Sequence, residues 1–197
     1  NEAGRIYHLN VQKERQAGLN YITGEASANT FREVPPLRLK QYLPAAKLIL
    51  LLRDPVERSF SLHRMFARFQ AEGRDQGFSV AVFAAEVRQE MESKRGRYLG
   101  SSWYMDYLPA WVDTYGWDQL RIVFTEDLGD SGKLPGIMTA LVEYLELPAH
   151  DYGNFLQQRF NQAKPAQMDA VLRAELNAYF SPMKRELKQF LKRELPW

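Results

Sequence analysis

The stretch Lys47-Leu48-Ile49-Leu50-Leu51-Leu52-Arg53-Asp54-Pro55-Val56-Glu57-Arg58-Ser59-Phe60-Ser61-Leu62-His63 decides the fold. Its apolar run, Leu48 to Leu52, is continuous rather than alternating, as in a strand buried on both faces, and it stops at a charge. Asp54 can cap a helix, and Pro55 suits the first helical turn, where a missing N–H is no loss. Arg53 then stands at the carboxyl end of a strand, where open α/β sheets bind ligands. It lies beside a helix N-terminus carrying free N–H groups and positive partial charge. This is the outline of an anion site. Ser61, two turns into the helix, adds a hydroxyl donor if its face turns toward Arg53. His63, about 200° further round at roughly 100° per residue, faces elsewhere. A competing reading of the same spacing pairs Arg53 with Asp54 or Glu57 on the surface and leaves Ser61 an ordinary helical serine.

Outward from this stretch, Tyr21-Ile22-Thr23 and Leu120-Arg121-Ile122-Val123-Phe124 are two more short β-favouring runs, the second following the turn-like Tyr115-Gly116-Trp117-Asp118. Helical spacing fills 34–43, 55–71, 78–94, 101–115, 134–145, 168–180 and 183–191, with a surface loop over 72–77. Strands separated by helix-length crossovers pair in parallel, so the fold class is α/β: a parallel sheet flanked by helices, with a helix-rich C-terminal half. Three strands are few for such a sheet, which commonly has about five or six. The chain therefore reads as a single domain over 1–197 with something missing at its front.

The composition narrows the function. A chain of 197 residues, 45% hydrophobic and 25% charged, is neither collagen, rod nor disordered coil. Its 26 Lys+Arg against 24 Asp+Glu are too balanced for a non-specific grip on nucleic acid. The basic excess sits in the tail. From Gln158 to Trp197 eight basic residues, Arg173, Lys184 and Arg193 among them, face four acidic ones. No Cys is present, which excludes disulfides, thiolate metal sites and a cysteine nucleophile and leans toward a reducing compartment. Leu48 to Leu52 is far short of the roughly 20 apolar residues of a membrane span. The start, Asn1-Glu2-Ala3-Gly4-Arg5, has neither Met nor an apolar signal region, as expected of a chain that begins partway into a longer one.

The quoted stretch resembles the 3′-phosphate-binding segment of sulfotransferases that use 3′-phosphoadenosine 5′-phosphosulfate (PAPS). There a strand runs into Arg-(Asn/Asp)-Pro-x-(Asp/Glu)-Arg and a Ser follows eight residues after the first Arg, the spacing of Arg53 and Ser61. Other pieces fall in family order. Gly24-Glu25-Ala26-Ser27 is similar to Gly-Glu-Lys-(Thr/Ser)-Pro, and Tyr98-Leu99-Gly100, Tyr104, Tyr107-Leu108 and Trp111 to the helix before the next strand. Thr125-Glu126-Asp127-Leu128 resembles Tyr-Glu-Asp-Leu, and Leu145-Glu146-Leu147-Pro148 resembles Leu-Gly-Leu-Pro. Lys164, Met168-Asp169, Tyr179-Phe180-Ser181-Pro182 and Trp197 resemble the closing region. The resemblance implies sulfuryl transfer from PAPS, leaving 3′-phosphoadenosine 5′-phosphate (PAP), to a hydroxyl or amine, with no metal. It further implies Arg53 and Ser61 on the 3′-phosphate and Lys164 on the same nucleotide. The acceptor it leaves open among small molecules, glycans, lipids and carrier-bound alcohols.

The chain departs from the pattern in places. No Gly-x-x-x-x-Gly-Lys-Ser/Thr loop for the 5′-phosphosulfate occurs, Ala26 replaces the family lysine, and Thr125 replaces an aromatic. Ile6-Tyr7-His8-Leu9 matches only the histidine of a Glu-x-His-Phe-Phe-like segment, which makes His8 the candidate catalytic base. Alone, the chain is then expected to be inactive. A second reading is a non-catalytic nucleotide- or partner-binding domain that kept the 3′-phosphate pocket. A P-loop kinase is disfavoured by the lack of a Walker lysine. The aromatic series Trp103, Tyr104, Tyr107, Trp111 reads as core, Glu126-Asp127 as weak evidence for a metal, and the compartment as cytoplasm ahead of the Golgi lumen.

Overall fold

The computed structural model describes residues 23–27, 29–70, 78–93, 96–149 and 166–197. The chain divides into two units, Asn1–Thr30 and Phe31–Trp197. The elements in chain order are α1 (Thr30–Glu33), α2 (Pro36–Tyr42), β1 (Leu48–Leu52), α3 (Pro55–Gln70), α4 (Val80–Ser93), two 3₁₀ turns (Gly100–Ser102 and Tyr104–Asp106) and α5 (Leu108–Tyr115). They continue with β2 (Leu120–Phe124), α6 (Thr125–Leu128), α7 (Leu134–Tyr144) and α8 (Ala170–Leu191). β1 and β2 pair in parallel, Leu48 opposite Leu120 through Leu52 opposite Phe124. The parallel pairing expected from helix-length crossovers is thus the one observed; of the third expected strand, Tyr21 and Ile22 lie outside the described residues.

The core forms where helices cover the sheet. Leu52 and Phe124 end the two strands in a cluster with Val56 and Phe60 of α3, Phe83 and Val87 of α4, and Leu172, Leu176, Phe180, Met183 and Leu187 of α8. The last five recur at three- and four-residue spacing, one stripe of a helix. A second cluster of Trp111, Tyr115 and Leu120 covers the entry end of the strands. The strand itself corrects an expectation. Leu50 packs on the core and Leu52 is fully buried, but Ile49 and Leu51 are 39% and 55% exposed. The apolar run is therefore pleated into one covered and one open face, and an uninterrupted run cannot tell which faces neighbours cover.

Two helix boundaries also differ from the expectation. The 101–115 segment is helical only from Leu108; before it the chain makes two 3₁₀ turns that place Tyr104 in the core and Asp106 outside. The pair 168–180 and 183–191 is one helix, α8, running through Pro182. Proline removes one hydrogen bond and strains the turn before it, but the buried residues on either side, Phe180 and Met183, anchor both halves to the same core. Asp169 caps α8 by accepting from the N–H groups of Val171 (2.9 Å) and Leu172 (3.1 Å). At the end of α5, Gly116 takes φ 73°, a left-handed turn open to glycine, and its N–H closes on the Val112 carbonyl at 2.8 Å before β2 begins. Among the described residues no helix is long and apolar enough to cross a membrane.

Candidate functional site

The start of α3 satisfies its own amides. Asp54 Oδ1 accepts from the N–H of Val56 (2.7 Å) and Glu57 (3.3 Å), the Arg58 N–H reaches the Asp54 carbonyl at 2.8 Å, and Pro55 has no N–H to offer. The cap read from the sequence is present, and it consumes the free donors expected there: this first turn has no amide left for an anion. Recognition at this place falls to side chains.

Those side chains are arranged by the C-terminal helix. Lys184 of α8 reaches the other Asp54 oxygen, Oδ2, at 2.9 Å, with the two side chains 17% and 14% exposed, and Arg173 of α8 pairs with Glu57. The two residues lie eleven apart, three helical turns, and so share one face of α8. Both carboxylates that could have captured Arg53 are thereby occupied. Among the described residues no carboxylate pairs with the Arg53 guanidinium, so the surface-pairing reading is not what the structure shows. The Arg53 backbone is fixed from below: the Tyr104 hydroxyl donates to its carbonyl at 2.8 Å and accepts from its N–H at 3.4 Å. Burial pushes the Tyr104 phenol up to about 12, against a smaller opposing effect of nearby Arg58, so it stays a donor. Half-buried Arg53 is a cation on a rigid pedestal at the carboxyl end of β1.

Ser61 lies on α3 one turn after Glu57, the side that meets Arg173, and its hydroxyl has no partner among the described residues. His63 faces away as its angle requires. It is buried against Phe78, Phe83 and Tyr98, with Nε2 2.8 Å from Glu86 Oε2. His8 and Lys164 lie outside the described residues.

The sequence reading missed the layer behind Arg53. Arg58 Nη1 donates to Ser101 Oγ (2.5 Å) and Ser102 Oγ (3.1 Å), and burial pulls its guanidinium below the ordinary value. Ser59, fully buried, donates to the Pro55 carbonyl at 2.7 Å and lies 3.3 Å from Ser102 Oγ. The loop carrying these serines is held by Glu90, whose carboxylate accepts from the N–H of Tyr98 (3.1 Å) and Leu99 (2.8 Å). Gly96 leaves room for that carboxylate, since a Cβ there would stand 2.0 Å from the Glu90 carboxyl carbon. Half-buried Arg58 and the buried Ser101-Ser102 pair are of residue types that are usually exposed, and only the fold brings them together.

Beside this layer opens a cleft of about 740 Å³ lined by Arg32, Ser101, Trp103, Asp106, Tyr107 and Tyr179, among others. The aromatic series is therefore divided. Tyr104 and Trp111 are core, while half-buried Trp103 and Tyr107 line the cleft. Glu126 accepts from the Asp54 N–H at 2.9 Å and Asp127 pairs with Lys133. Among the described residues no group of three or more His, Cys, Asp or Glu could hold a metal ion.

No family model matches the chain. Over 137 residues it is 21% identical to a bifunctional heparan sulfate N-deacetylase/N-sulfotransferase 1 of Caenorhabditis elegans, covering 69% of this chain and 16% of that protein. Over 99 residues it is 26% identical to a membrane-associated sulfotransferase of Dictyostelium discoideum, covering 50% and 20%. The structure is similar to the crystal structure of a sulfotransferase from Alicyclobacillus acidocaldarius, with a TM-score of 0.64 and 22% identity over 87% of this chain and 65% of that one. The chain thus spans a fifth or less of these curated relatives' length. The structural likeness shows the expected fold, a P-loop-like parallel α/β sheet flanked by helices.

Proposed function

We propose that this chain, whose sequence relatives and structural neighbour support its assignment to the sulfotransferase family, is part of an enzyme that moves a sulfuryl group from PAPS to a hydroxyl or amine. In that transfer the sulfur's bond to the donor phosphate breaks, a bond to the acceptor oxygen or nitrogen forms, and the acceptor's proton goes to a base. The protein's work is to align the two partners and to stabilise charge on the departing phosphate.

The observation that carries the reading is the state of Arg53. An arginine next to two carboxylates would ordinarily bind one of them. Here Lys184 and Arg173 hold both, and a cation remains at the strand end where a phosphate fits its fork. In this reading Arg53 and Ser61 hold the 3′-phosphate, Lys164 approaches the same nucleotide and His8 takes the proton. Glycan and small-molecule acceptors come first among the classes considered. Nothing favours a binding domain without transfer chemistry.

The test is calorimetric titration of PAP into the full-length protein, with 5′-AMP as control. Tight PAP binding that drops at least tenfold in Arg53→Ala, and that 5′-AMP does not reproduce, is the expected result. Binding indifferent to the 3′-phosphate or to Arg53 overturns the reading.

A further inference from the structure

Strand register brings to the phosphate site a carboxylate that no cation holds. β1 and β2 end side by side, Leu52 opposite Phe124, so the same register carried two places on sets Asp54 beside Glu126. There Glu126 Oε1 accepts from the Asp54 N–H at 2.9 Å. That N–H and the Arg53 carbonyl are the two poles of one planar peptide unit, and the Tyr104 hydroxyl donates to the carbonyl at 2.8 Å. The peptide that leads from the strand end into α3 is thus clamped at both poles, by residues 51 and 72 positions away. The Arg53 N–H also meets the Tyr104 hydroxyl, at 3.4 Å. With the peptides on both sides of Arg53 held, the direction in which its side chain leaves the backbone is fixed.

Glu126 is itself steadied. Thr125 Oγ1 donates to Glu126 Oε2 at 3.3 Å, and the turn carrying both closes where the Gly129 N–H meets the Thr125 and Glu126 carbonyls, each at 3.1 Å. Thr125, standing where the family pattern has an aromatic, thereby supplies a short donor to the carboxylate. The neighbouring carboxylates Asp127 and Asp54 are held by Lys133 and Lys184, but among the described residues no cation pairs with half-buried Glu126. By charge alone, an uncompensated carboxylate at this place opposes an incoming phosphate. What Glu126 adds to phosphate binding therefore comes through the hydrogen bond it accepts, which presets Arg53 before the ligand arrives.

We propose that Glu126 is a positioning residue for 3′-phosphate recognition, acting as the hydrogen-bond acceptor that sets the Arg53–Asp54 peptide and not through its charge. The inference rests on the sulfotransferase reading for the identity of the nucleotide, while the clamp on the Asp54 N–H does not depend on it.

The experiment separates reach from charge in the full-length protein. Glu126→Gln keeps an oxygen at the same reach without the charge, whereas Glu126→Asp keeps the charge and withdraws the oxygen by one methylene. Calorimetry with PAP and 5′-AMP reads the site, and hydrogen exchange of the Asp54 amide reads the clamp. Glu126→Asp is expected to bind PAP about fivefold more weakly, with 5′-AMP affinity unchanged, and to exchange the Asp54 amide about tenfold faster. Glu126→Gln is expected to exchange that amide within about twofold of the unmodified protein and to bind PAP at least as well. Asp127→Ala, which removes the adjoining carboxylate of the same turn, is expected to change neither readout. Three results overturn the inference: PAP affinity is unchanged in Glu126→Asp, Glu126→Gln loses as much as Glu126→Asp, or Asp127→Ala loses as much, which would mean only that the turn had loosened. An unmodified protein that does not distinguish PAP from 5′-AMP, with Asp54 exchange responding as stated, overturns instead the sulfotransferase reading and leaves the clamp standing.

Discussion

Tyr104 shows how one buried hydroxyl positions a cation it does not touch through the side chain. Its phenol joins both backbone groups of Arg53, and burial raises it to about 12. A group whose folded value lies above its unfolded value near 10 contributes stability that is complete below pH 10 and disappears as pH climbs toward 12, by about 2–3 kcal/mol. Tyr104→Phe removes this dependence. At pH 7 it should cost about 1 kcal/mol for the lost hydrogen bonds, and the gap to the unmodified protein should close or invert by pH 12 in urea titrations. Parallel stability curves for the two proteins across pH 9–12 would contradict this account. At the same scale, the sequence disclosed where Arg53 and Ser61 stand, because a strand end and a helical offset are local facts. It did not disclose that Arg53 lacks a carboxylate partner or that Tyr104 holds its backbone. The partners responsible are 51 residues away for Tyr104, and 116 and 130 residues away for Arg173 and Lys184.

At the scale of elements, α8 joins the fold to the site with two faces. One stripe, Leu172, Leu176, Phe180, Met183 and Leu187, is buried, and the adjoining face sends Arg173 and Lys184 to α3. Leu176→Ala should then cost about 2–5 kcal/mol, a buried leucine replaced by a cavity. Val171→Ala, at a position 62% exposed, should stay within about 0.5 kcal/mol. Similar losses from both, read in the same denaturant titration, would mean that the helix is not seated as described. The period-3.6 pattern of this segment was readable, and so was the parallel pairing of β1 with β2. Pro182 misled the reading because its local penalty is visible in sequence, whereas the anchoring of Phe180 and Met183 is tertiary. The open face of β1 was unreadable for the same reason: apolar residue type records no neighbour. The cleft was hidden too, since Trp103 and Tyr107 share the spacing of the truly buried Tyr104 and Trp111.

The whole molecule adds a coupling that no single element contains. In this account Arg173 and Lys184 of the tail do not contact the proposed phosphate; they neutralise its rivals. Lys184 holds Asp54 across 130 residues, and once it is removed the Asp54 carboxylate has the neighbouring Arg53 as its available cation. Lys184→Met should therefore weaken PAP binding about tenfold, roughly 1.4 kcal/mol, although Lys184 itself makes no contact with the nucleotide in this account. Asp54→Asn keeps an N-capping residue while removing the charge. Introduced into Lys184→Met, it should restore PAP affinity to near the original, whereas by itself it should change affinity little. The resulting coupling energy of about 1 kcal/mol or more is what a double-mutant cycle measures for groups in one network. Independent effects, with the double variant binding PAP as weakly as Lys184→Met alone, would assign Lys184 a direct contact with the nucleotide and remove the shielding role. Rescue would establish that the C-terminal helix sets the charge state of the site by occupying carboxylates.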